Sequence, residues 1–164
     1  SSAASDVYKR QGRIPTYFTQ RGGKETYHGP GQWVIFPSDT LEHLTGSSKG
    51  VREVISRLLK LAFEAGSEYR SDLYIEEEGN RIGVWAKEGK VASVGIRIQR
   101  GRVHHGMALN AYPTSESFLG IQPCGLPCSP AYLFSGLAQE CWKEQFLELG
   151  QRLRHLAPGI LWAR

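Results

Sequence analysis

Long apolar runs are missing from this 164-residue sequence, and so are other features that mark particular classes of protein. No uninterrupted apolar stretch exceeds a few residues, which excludes a helix that spans a membrane. The segment Ser1–Gln11 lacks the apolar region of a secretory leader, so we expect none. Lysine and arginine exceed aspartate and glutamate by only 20 to 16, without the dense basic block typical of nucleic-acid binding. We therefore expect neither a membrane nor a nucleic acid as partner.

Cysteine is also scarce, and its placement argues against both disulfides and metal. The three cysteines, Cys124, Cys128 and Cys141, form an odd count without a secretory context, which predicts reduced thiols in a reducing compartment. No second pair of Cys or His with metal-ligand spacing lies near Cys124 and Cys128. His104 and His105 would point to opposite faces of one strand. We predict no metal site.

The hydrophobic pattern that is present predicts one α+β domain, with a mixed or largely antiparallel sheet flanked by helices. A helix is predicted over Lys49–Ala65, with apolar residues every three or four positions and Gly66 in the C′ position. A second, interrupted helix is predicted from Leu133, Leu137, Cys141, Phe146 and Leu149. Strands are predicted over Ile14–Phe18, Gln32–Phe36, Asp72–Glu77, Arg81–Lys87, Lys90–Gln99 and His104–Ala111. Ser1–Gln11 resembles adaptor or cloning sequence, so we predict a single domain over 12–164 that lacks its N-terminal part.

A glycine-rich segment at 21–32, RGGKETYHGPGQ, is the first candidate for function. Its glycines let a backbone bend closely around a ligand and point N–H groups inward. A surface turn is the structural alternative. We favour a binding loop because a turn does not need Arg21, Tyr27, His28 and Gln32 among its glycines.

Three further motifs follow, each with an ordinary structural alternative. Lys90 lies at a hairpin mouth, where lysines are commonly solvated, but Gly95 within the same strand would weaken it unless something approaches the backbone. The run HGMALN at 105–110 carries a histidine that on its own is better explained as a core residue. In PCG at 123–125, Cys124 is either a nucleophile on a tight turn or a small buried hydrophobe.

Together these segments resemble the lipoyl (octanoyl) transferase family, which attaches octanoate to lipoyl domains. The matching text is RGGKETYHGPGQ at 21–32, GKVASVG at 89–95, HGMALN at 105–110 and PCG at 123–125. GVW at 83–85 and RIQRG at 97–101 agree as well. The resemblance implies the α+β fold of biotin and lipoyl protein ligases. It covers the chain from about Ile14 to Gly125.

The resemblance also implies an acyltransferase mechanism. Octanoyl-acyl carrier protein donates its acyl group to Cys124, and a lysine of an apo lipoyl domain then attacks the resulting thioester. Lys90 is implied as the partner that stabilises the thiolate and moves its proton. The pocket residues implied are Arg21, Gly22, Gly23, Lys24, Glu25, Thr26, Tyr27, His28, Ser93, Val94, Gly95, Gly106, Met107 and Ala108. His105 and Asn110 are implied in support.

No cofactor is implied, since a thioester is already activated toward an amine. The implied acceptors are lipoyl domains of 2-oxoacid dehydrogenases or the glycine cleavage H protein. A net charge of +4 suits acyl carrier proteins, which are acidic as a class. We expect a monomer in the cytoplasm, or in the mitochondrial matrix or a plastid of a eukaryote.

Two departures from the family pattern leave alternatives open. The family has an early strand and helix before the RGG segment, and after PCG it commonly has a Thr-Ser-Leu-like stretch instead of the prolines and second thiol found here. The alternatives are an ATP-dependent lipoate–protein ligase, a non-catalytic module that binds lipoyl domains, and a thiol hydrolase that pairs Cys124 with His28 or His105.

Overall fold

One strand and two helices are followed by four strands and one long helix. The computed structural model describes residues 15, 17–23, 25–118, 121 and 128–162. The elements, in chain order, are β1 (Gln32–Ile35), α1 (Leu41–Thr45), α2 (Val51–Gly66), β2 (Tyr74–Glu76), β3 (Gly83–Ala86), β4 (Gly89–Gln99), β5 (Arg102–Asn110) and α3 (Trp142–Leu161). No helix within these residues is both long and apolar enough to cross a bilayer.

The strands form one antiparallel sheet in the order β1-β5-β4-β3-β2. Its centre is the long β4–β5 hairpin, in which Ala92 lies opposite Leu109 and Gln99 lies opposite Arg102. Arg100 and Gly101 close the hairpin with φ values of 50° and 74°, since a two-residue turn of this hand needs positive φ at both positions. The predicted α+β class with a largely antiparallel sheet is confirmed.

The helices cover one face of the sheet, which we call the core face. Val84, Ala92 and Leu109 lie side by side on three neighbouring strands and are buried together with Leu58 and Leu59 of α2. Side chains alternate between the faces of a strand. The outer face therefore carries the residues between them, namely Gly83, Trp85, Lys90, Ser93, Gly95, Arg97, Arg102, His104, Gly106, Ala108 and Asn110.

A β-bulge between β3 and β4 determines the direction of Lys90. Val84 lies opposite Ala92, whereas Trp85 lies opposite Lys90, so that Val91 is an extra residue in β4. Regular alternation would place Lys90 on the core face with Ala92. The bulge turns the lysine to the outer face beside Trp85, in the way that bulges re-aim side chains elsewhere.

Two sequence-based predictions near the N-terminal half were wrong. Pro15, Tyr17 and Phe18, the described part of the strand predicted at Ile14–Phe18, lie outside any strand. Gly66 is the last residue of α2 and does not follow it. A Cβ at Gly66 would lie 2.9 Å from a methyl of Leu133, so the glycine makes room for packing.

The C-terminal helix was placed too early by the apolar pattern. α3 begins at Trp142, and Leu133 and Phe134 enter the core from an irregular segment. This segment bonds to strand ends: the N–H of Leu133 donates to the carbonyl of Asn110 (3.0 Å), and that of Phe134 donates to the carbonyl of Ala111 (2.8 Å). These long-range bonds replace the local bonds of a helix.

The packing of α3 on β1 gives a test of the fold. A Cβ at Gly150 would lie 2.2 Å from the Trp33 ring, which stacks on Phe146 at 4.8 Å and donates to its carbonyl at 3.0 Å. We expect Gly150→Ala to lower the free energy of unfolding by about 1–3 kcal/mol through overpacking. Urea denaturation measures the change.

The matched control is Gly159→Ala in the same helix, where no atom lies within 4 Å of an added Cβ. Alanine is the better helix former, so this variant should gain up to about 1 kcal/mol. Equal effects of the two substitutions would contradict the role assigned to the Trp33 contact.

Candidate active site

Lys90 is a buried cation on the outer face. Only 2% of the residue is exposed. Its Nζ donates a hydrogen bond to the carbonyl of Ile82 at 2.9 Å and lies 4.7 Å from the centre of the Trp85 ring. Gly83 leaves space for the stem, since a Cβ there would lie 3.0 Å from Cε of Lys90. A buried ammonium needs such partners, and a carbonyl and an aromatic face supply them.

The segment that follows the PCG motif lies directly against Lys90. The N–H of Lys90 donates to the carbonyl of Ser129 at 3.1 Å, and the N–H of Ala131 donates to the carbonyl of Lys90 at 2.9 Å. Pro130 thereby forms an isolated parallel bridge with the lysine. The backbone of Lys90 is thus held between β3 on one side and this segment on the other.

Asn110 connects Lys90 to the glycine-rich loop. Its side chain is buried, with 5% of the residue exposed. Nδ2 donates to the carbonyls of Lys90 (3.3 Å) and Ala131 (3.2 Å), and Oδ1 accepts from Nε2 of Gln32 at 2.8 Å. Oε1 of Gln32 in turn accepts from the N–H of Gly29 at 3.3 Å. One amide therefore joins three segments that the sequence motifs had singled out.

The start of the glycine-rich loop crosses β4 on the outer face. The N–H of Gly22 donates to the carbonyl of Ile96 at 3.1 Å. A Cβ at Gly95 would lie 2.9 Å from the carbonyl oxygen of Gly22 and 3.2 Å from Cδ of Arg21. The expectation that something approaches the backbone at Gly95 is confirmed, and the approaching group is the loop itself.

Tyr27 anchors the middle of the loop. Only 3% of the residue is exposed, and its ring lies 5.5 Å from that of Phe118. Within the residues that the structure describes, its buried hydroxyl has no hydrogen-bond partner. Burial raises the pKa of Tyr132, with a smaller contribution from nearby Tyr27, while a hydrogen bond with Ser117 opposes the rise. The Tyr27 ring is thus in contact with Phe118, and Tyr132 lies near it with a hydrogen bond to Ser117.

His28 is exposed at the surface, but partial burial of its side chain lowers its pKa. The side chain of Gln32 opposes this shift, while the positive charge of Arg21 and the proximity of His105 add to it. His105 has a φ of 62°, which is uncommon for a residue other than glycine. Its ring packs edge-on against Phe36 at 5.9 Å.

The remaining predicted site residues fall into four groups. Ser93 and Ala108 lie opposite each other on the outer face, and Gly106 is crossed by the chain that leaves β1, with Ile35 oxygen 1.9 Å from where a Cβ would be. The side chains of Val94 and Met107 pack into the core, so only their backbones are available to a ligand. Gly23 and Glu25 are exposed and Thr26 is half-buried. Cys124 and Lys24 lie outside the described residues.

Sequence reasoning missed Arg70, which stabilises the hairpin that carries Lys90. The Arg70 guanidinium binds Asp72 (Nη2 to Oδ2, 2.7 Å) and Glu88 (Nη2 to Oε2, 2.7 Å). It also donates to the carbonyl of Tyr132 at 3.0 Å. Glu88 is in the turn before β4, so Arg70 joins this turn to the segment beyond the PCG motif. The contacts with Glu88 and Tyr132 join residues that are far apart in sequence, so no local sequence pattern predicts them.

No group of three or more His, Cys, Asp or Glu side chains able to hold a metal ion occurs within 17–23, 25–118 and 128–162. The site that these ranges build consists of a buried lysine, a buried amide and a glycine-rich backbone. Such groups position a thiol or a carbonyl group and move protons.

The Arg70 network gives a pH-dependent prediction. The hydrogen bond that Arg70 donates to Asp72 lowers the pKa of this carboxyl to about 2. The hydrogen bond from Arg70 to Glu88 likewise lowers the pKa of Glu88. Lowered carboxyl pKa values stabilise the fold above the unfolded-state value near 4, and this stabilisation is lost as the pH falls toward 2. Since the carboxyl side chains are 40% and 47% exposed, solvent screening limits the effect of Arg70→Met at pH 7 to about 1 kcal/mol.

Denaturation at several pH values checks this expectation. The midpoint urea concentration of unfolding should fall between pH 5 and pH 2 in both proteins. The fall should be smaller for the Arg70→Met variant than for the unaltered chain. Lys60→Met removes an exposed lysine that lies 3.7 Å from Glu64 and should leave the pH profile unchanged. Parallel profiles for the unaltered chain and Arg70→Met would contradict the assignment.

Comparison with known proteins gives a consistent family. The model of the lipoyl protein ligase A/B catalytic domain matches residues 5–143. The octanoyltransferase of Magnetococcus marinus is 34% identical over 152 residues, which cover 90% of this chain and 68% of that protein. The octanoyltransferase of Alkalilimnicola ehrlichii is 41% identical over 116 residues (71% and 52%), and that of an Enterobacter species is 39% identical over 150 residues (92% and 61%).

Among solved structures, biotin protein ligase from Aquifex aeolicus is similar with a TM-score of 0.44 and 16% sequence identity, over 76% of this chain and 49% of that one. The chain spans about half to two thirds of the length of the three octanoyltransferases, with coverage of 52% to 68%. The extent of the family-model match and the identity to the Magnetococcus protein lead to one assignment. This chain belongs to the lipoyl protein ligase A/B catalytic domain family.

Proposed function

We propose that this chain transfers an octanoyl group from octanoyl-acyl carrier protein to a lysine of a lipoyl domain, through a thioester on Cys124. The observation that supports this most directly is the environment of Lys90. A buried ammonium on the outer face is bracketed by the segment Ser129–Ala131, which follows Cys124 closely in the sequence. A structural lysine would not need to be buried at the meeting point of these segments.

The flanks of the segment that contains Cys124 support the same proposal. Before it, Phe118 packs on Tyr27 of the glycine-rich loop. After it, Ser129 accepts a hydrogen bond from the backbone of Lys90. Cys124 itself lies outside the described residues. Its assignment as nucleophile rests on the PCG motif and on these two neighbours.

In the first step the Cys124 thiolate attacks the carbonyl carbon of the donor thioester. The new S–C bond forms, the bond to the pantetheine sulfur breaks, and the Lys90 ammonium supplies the proton to the departing thiolate. The carbonyl of Ile82 and the ring of Trp85 stabilise the charged lysine. The oxyanion is stabilised by backbone N–H groups of the glycine-rich loop other than those of Gly22 and Gly29, which bond to Ile96 and Gln32.

In the second step the amine of the acceptor lysine attacks the acyl-enzyme. Lys90, now neutral, takes the proton from the attacking nitrogen, the N–C bond forms, and Cys124 leaves as a thiolate. Burial disfavours the charged form of a lysine and makes its neutral form more accessible, which suits a group that must both give and take a proton. The acceptors proposed are lipoyl domains of 2-oxoacid dehydrogenases or the glycine cleavage H protein, with the enzyme acting as a monomer.

Intact mass spectrometry after incubation with octanoyl-acyl carrier protein tests the nucleophile. We expect one added octanoyl group that hydroxylamine removes, because hydroxylamine cleaves thioesters. Cys124→Ala should abolish the adduct, whereas Cys128→Ser and Cys141→Ser should retain it. An adduct that persists without Cys124 would contradict the assignment. If the chain releases pyrophosphate when it is mixed with ATP and free octanoate, the ligase alternative is favoured. If it releases octanoate from the donor thioester in the absence of a lipoyl domain, the hydrolase alternative is favoured.

The role of Lys90 is tested by comparing Lys90→Met with Lys87→Met in the same hairpin. Lys87 is an exposed turn residue, whereas Lys90 is buried. Methionine fills the space of the lysine stem without its charge, which keeps the packing on Gly83. Since acid–base groups typically contribute 10²–10⁴-fold, we expect acylation of Lys90→Met to be slower by about 100-fold or more, with Lys87→Met unaffected. A similar small effect in both variants would refute the proton-transfer role.

A further inference from the structure

Positive charge is concentrated at the end of the outer face that lies far from Lys90. The end of the β4–β5 hairpin carries Arg97, Arg100, Arg102 and His104. Arg21 lies on the same face, where the loop crosses Gly95. We call these five residues the basic tip. Arg97 lies opposite His104, and their neighbours Ile98 and Val103 turn to the core face. The pleat therefore presents Arg97, Arg102 and His104 on one side.

Carboxylates within the described residues do not neutralise the tip. Each ion pair between described residues has a basic partner that lies outside the tip. The carboxylates in these pairs are Asp39, Glu53, Glu64, Glu68, Asp72 and Glu88. Asp39 lies close to the tip in the fold, since its backbone carbonyl accepts from the N–H of Val103 at 2.8 Å. Its carboxylate is occupied by Trp162 (2.8 Å) and His43 (2.6 Å). The tip is thus a positive surface suited to an acidic partner.

The distance from the tip to Lys90 distinguishes between the two protein partners of the proposed reaction. At about 3.3 Å per strand residue, the part of β4 between Lys90 and Arg97 is roughly 20 Å long. An acceptor lysine has only a four-carbon stem, so a lipoyl domain must dock close to Lys90. An acyl carrier protein holds its acyl group on a long pantetheine arm and is able to dock at a distance.

Given the proposed function, we propose that the basic tip is the docking surface for the acidic acyl carrier protein, and that the donor's pantetheine arm runs along the outer face toward Lys90. The arm passes over the loop where Arg21 and Gly22 cross β4 at Gly95. On the Lys90 side of this crossing, β4 presents the small side chain of Ser93 on the outer face. The tip steers the encounter and does not take part in the chemistry.

The test combines Arg100→Asp with Arg102→Glu. Aspartate tolerates the positive φ of position 100 better than most residues. The matched control, Lys143→Glu with Arg154→Glu, makes the same change of net charge on two exposed residues of α3. Acylation is measured with octanoyl-acyl carrier protein and with the uncharged small thioester S-octanoyl-N-acetylcysteamine.

With the carrier protein, kcat/KM of the tip variant should fall by about tenfold or more, mainly through KM, and the loss should shrink as NaCl screens the charges. With the small thioester the tip variant should match the unaltered chain, and the control variant should match it with both donors. An equal loss with both donors, no loss with the carrier protein, or a rise in KM for the lipoyl domain instead would overturn the docking proposal.

Failure of the proposed function has a different signature. If neither donor acylates the unaltered chain, the transferase proposal fails. Titration calorimetry of the carrier protein against the unaltered chain and the tip variant then decides the docking proposal separately. Weaker binding by the tip variant supports the docking surface, and equal binding overturns it.

Discussion

A buried side-chain amide is the interaction on which the arrangement of the site depends. Asn110 has almost no access to water, so its oxygen and nitrogen must find partners within the protein. It finds them in Gln32, in the carbonyl of Lys90 and in that of Ala131. Because an amide is planar and its donors and acceptors have fixed directions, satisfying it places the glycine-rich loop, the start of β4 and the chain beyond the PCG motif relative to one another.

The hydrogen bonds of Asn110 fix the backbone position of Lys90. The burial of the lysine ammonium is itself unfavourable, and its neighbours must offset this desolvation free energy. Removing an ammonium from water is unfavourable unless the charge is paired or hydrogen-bonded. Here the bulge in β4 turns the side chain away from the hydrocarbon core, and the carbonyl of Ile82 and the face of Trp85 receive its charge. Arg70 then fixes the turn before β4 through Glu88. A cation held in this way at a junction of three segments is better explained by chemistry than by stability.

Local signals predicted much of this arrangement, and non-local contacts account for the rest. The turn residues and strand patterns were sufficient for β1 to β5 to within a few residues, and the apolar period was sufficient for α2 to within two residues at each end. Gly95 was predictable as a point of close approach because a glycine inside a strand needs a reason. The start of α3 and the Arg70 network were not predictable, because each depends on groups distant in sequence. The bulge was not predictable because its one-residue shift has no marker in the local sequence pattern. The irregular path through Leu133 is an example, since its N–H bonds to Asn110 and not to a helical turn.

The glycines and the small residues of the outer face together explain how one sheet surface serves both as scaffold and as site. Gly95 admits the backbone of Gly22, Gly106 admits the chain leaving β1, and Gly83 admits the stem of Lys90. Each of these close contacts requires the absence of a Cβ, so these glycines are fully used by the fold. The room that remains along β4 lies at Ser93, between the buried lysine and the crossing loop. In the proposed function, the two ends of β4 therefore have different roles, with proton transfer at the buried Lys90 and docking of an acidic partner at the arginines of the basic tip.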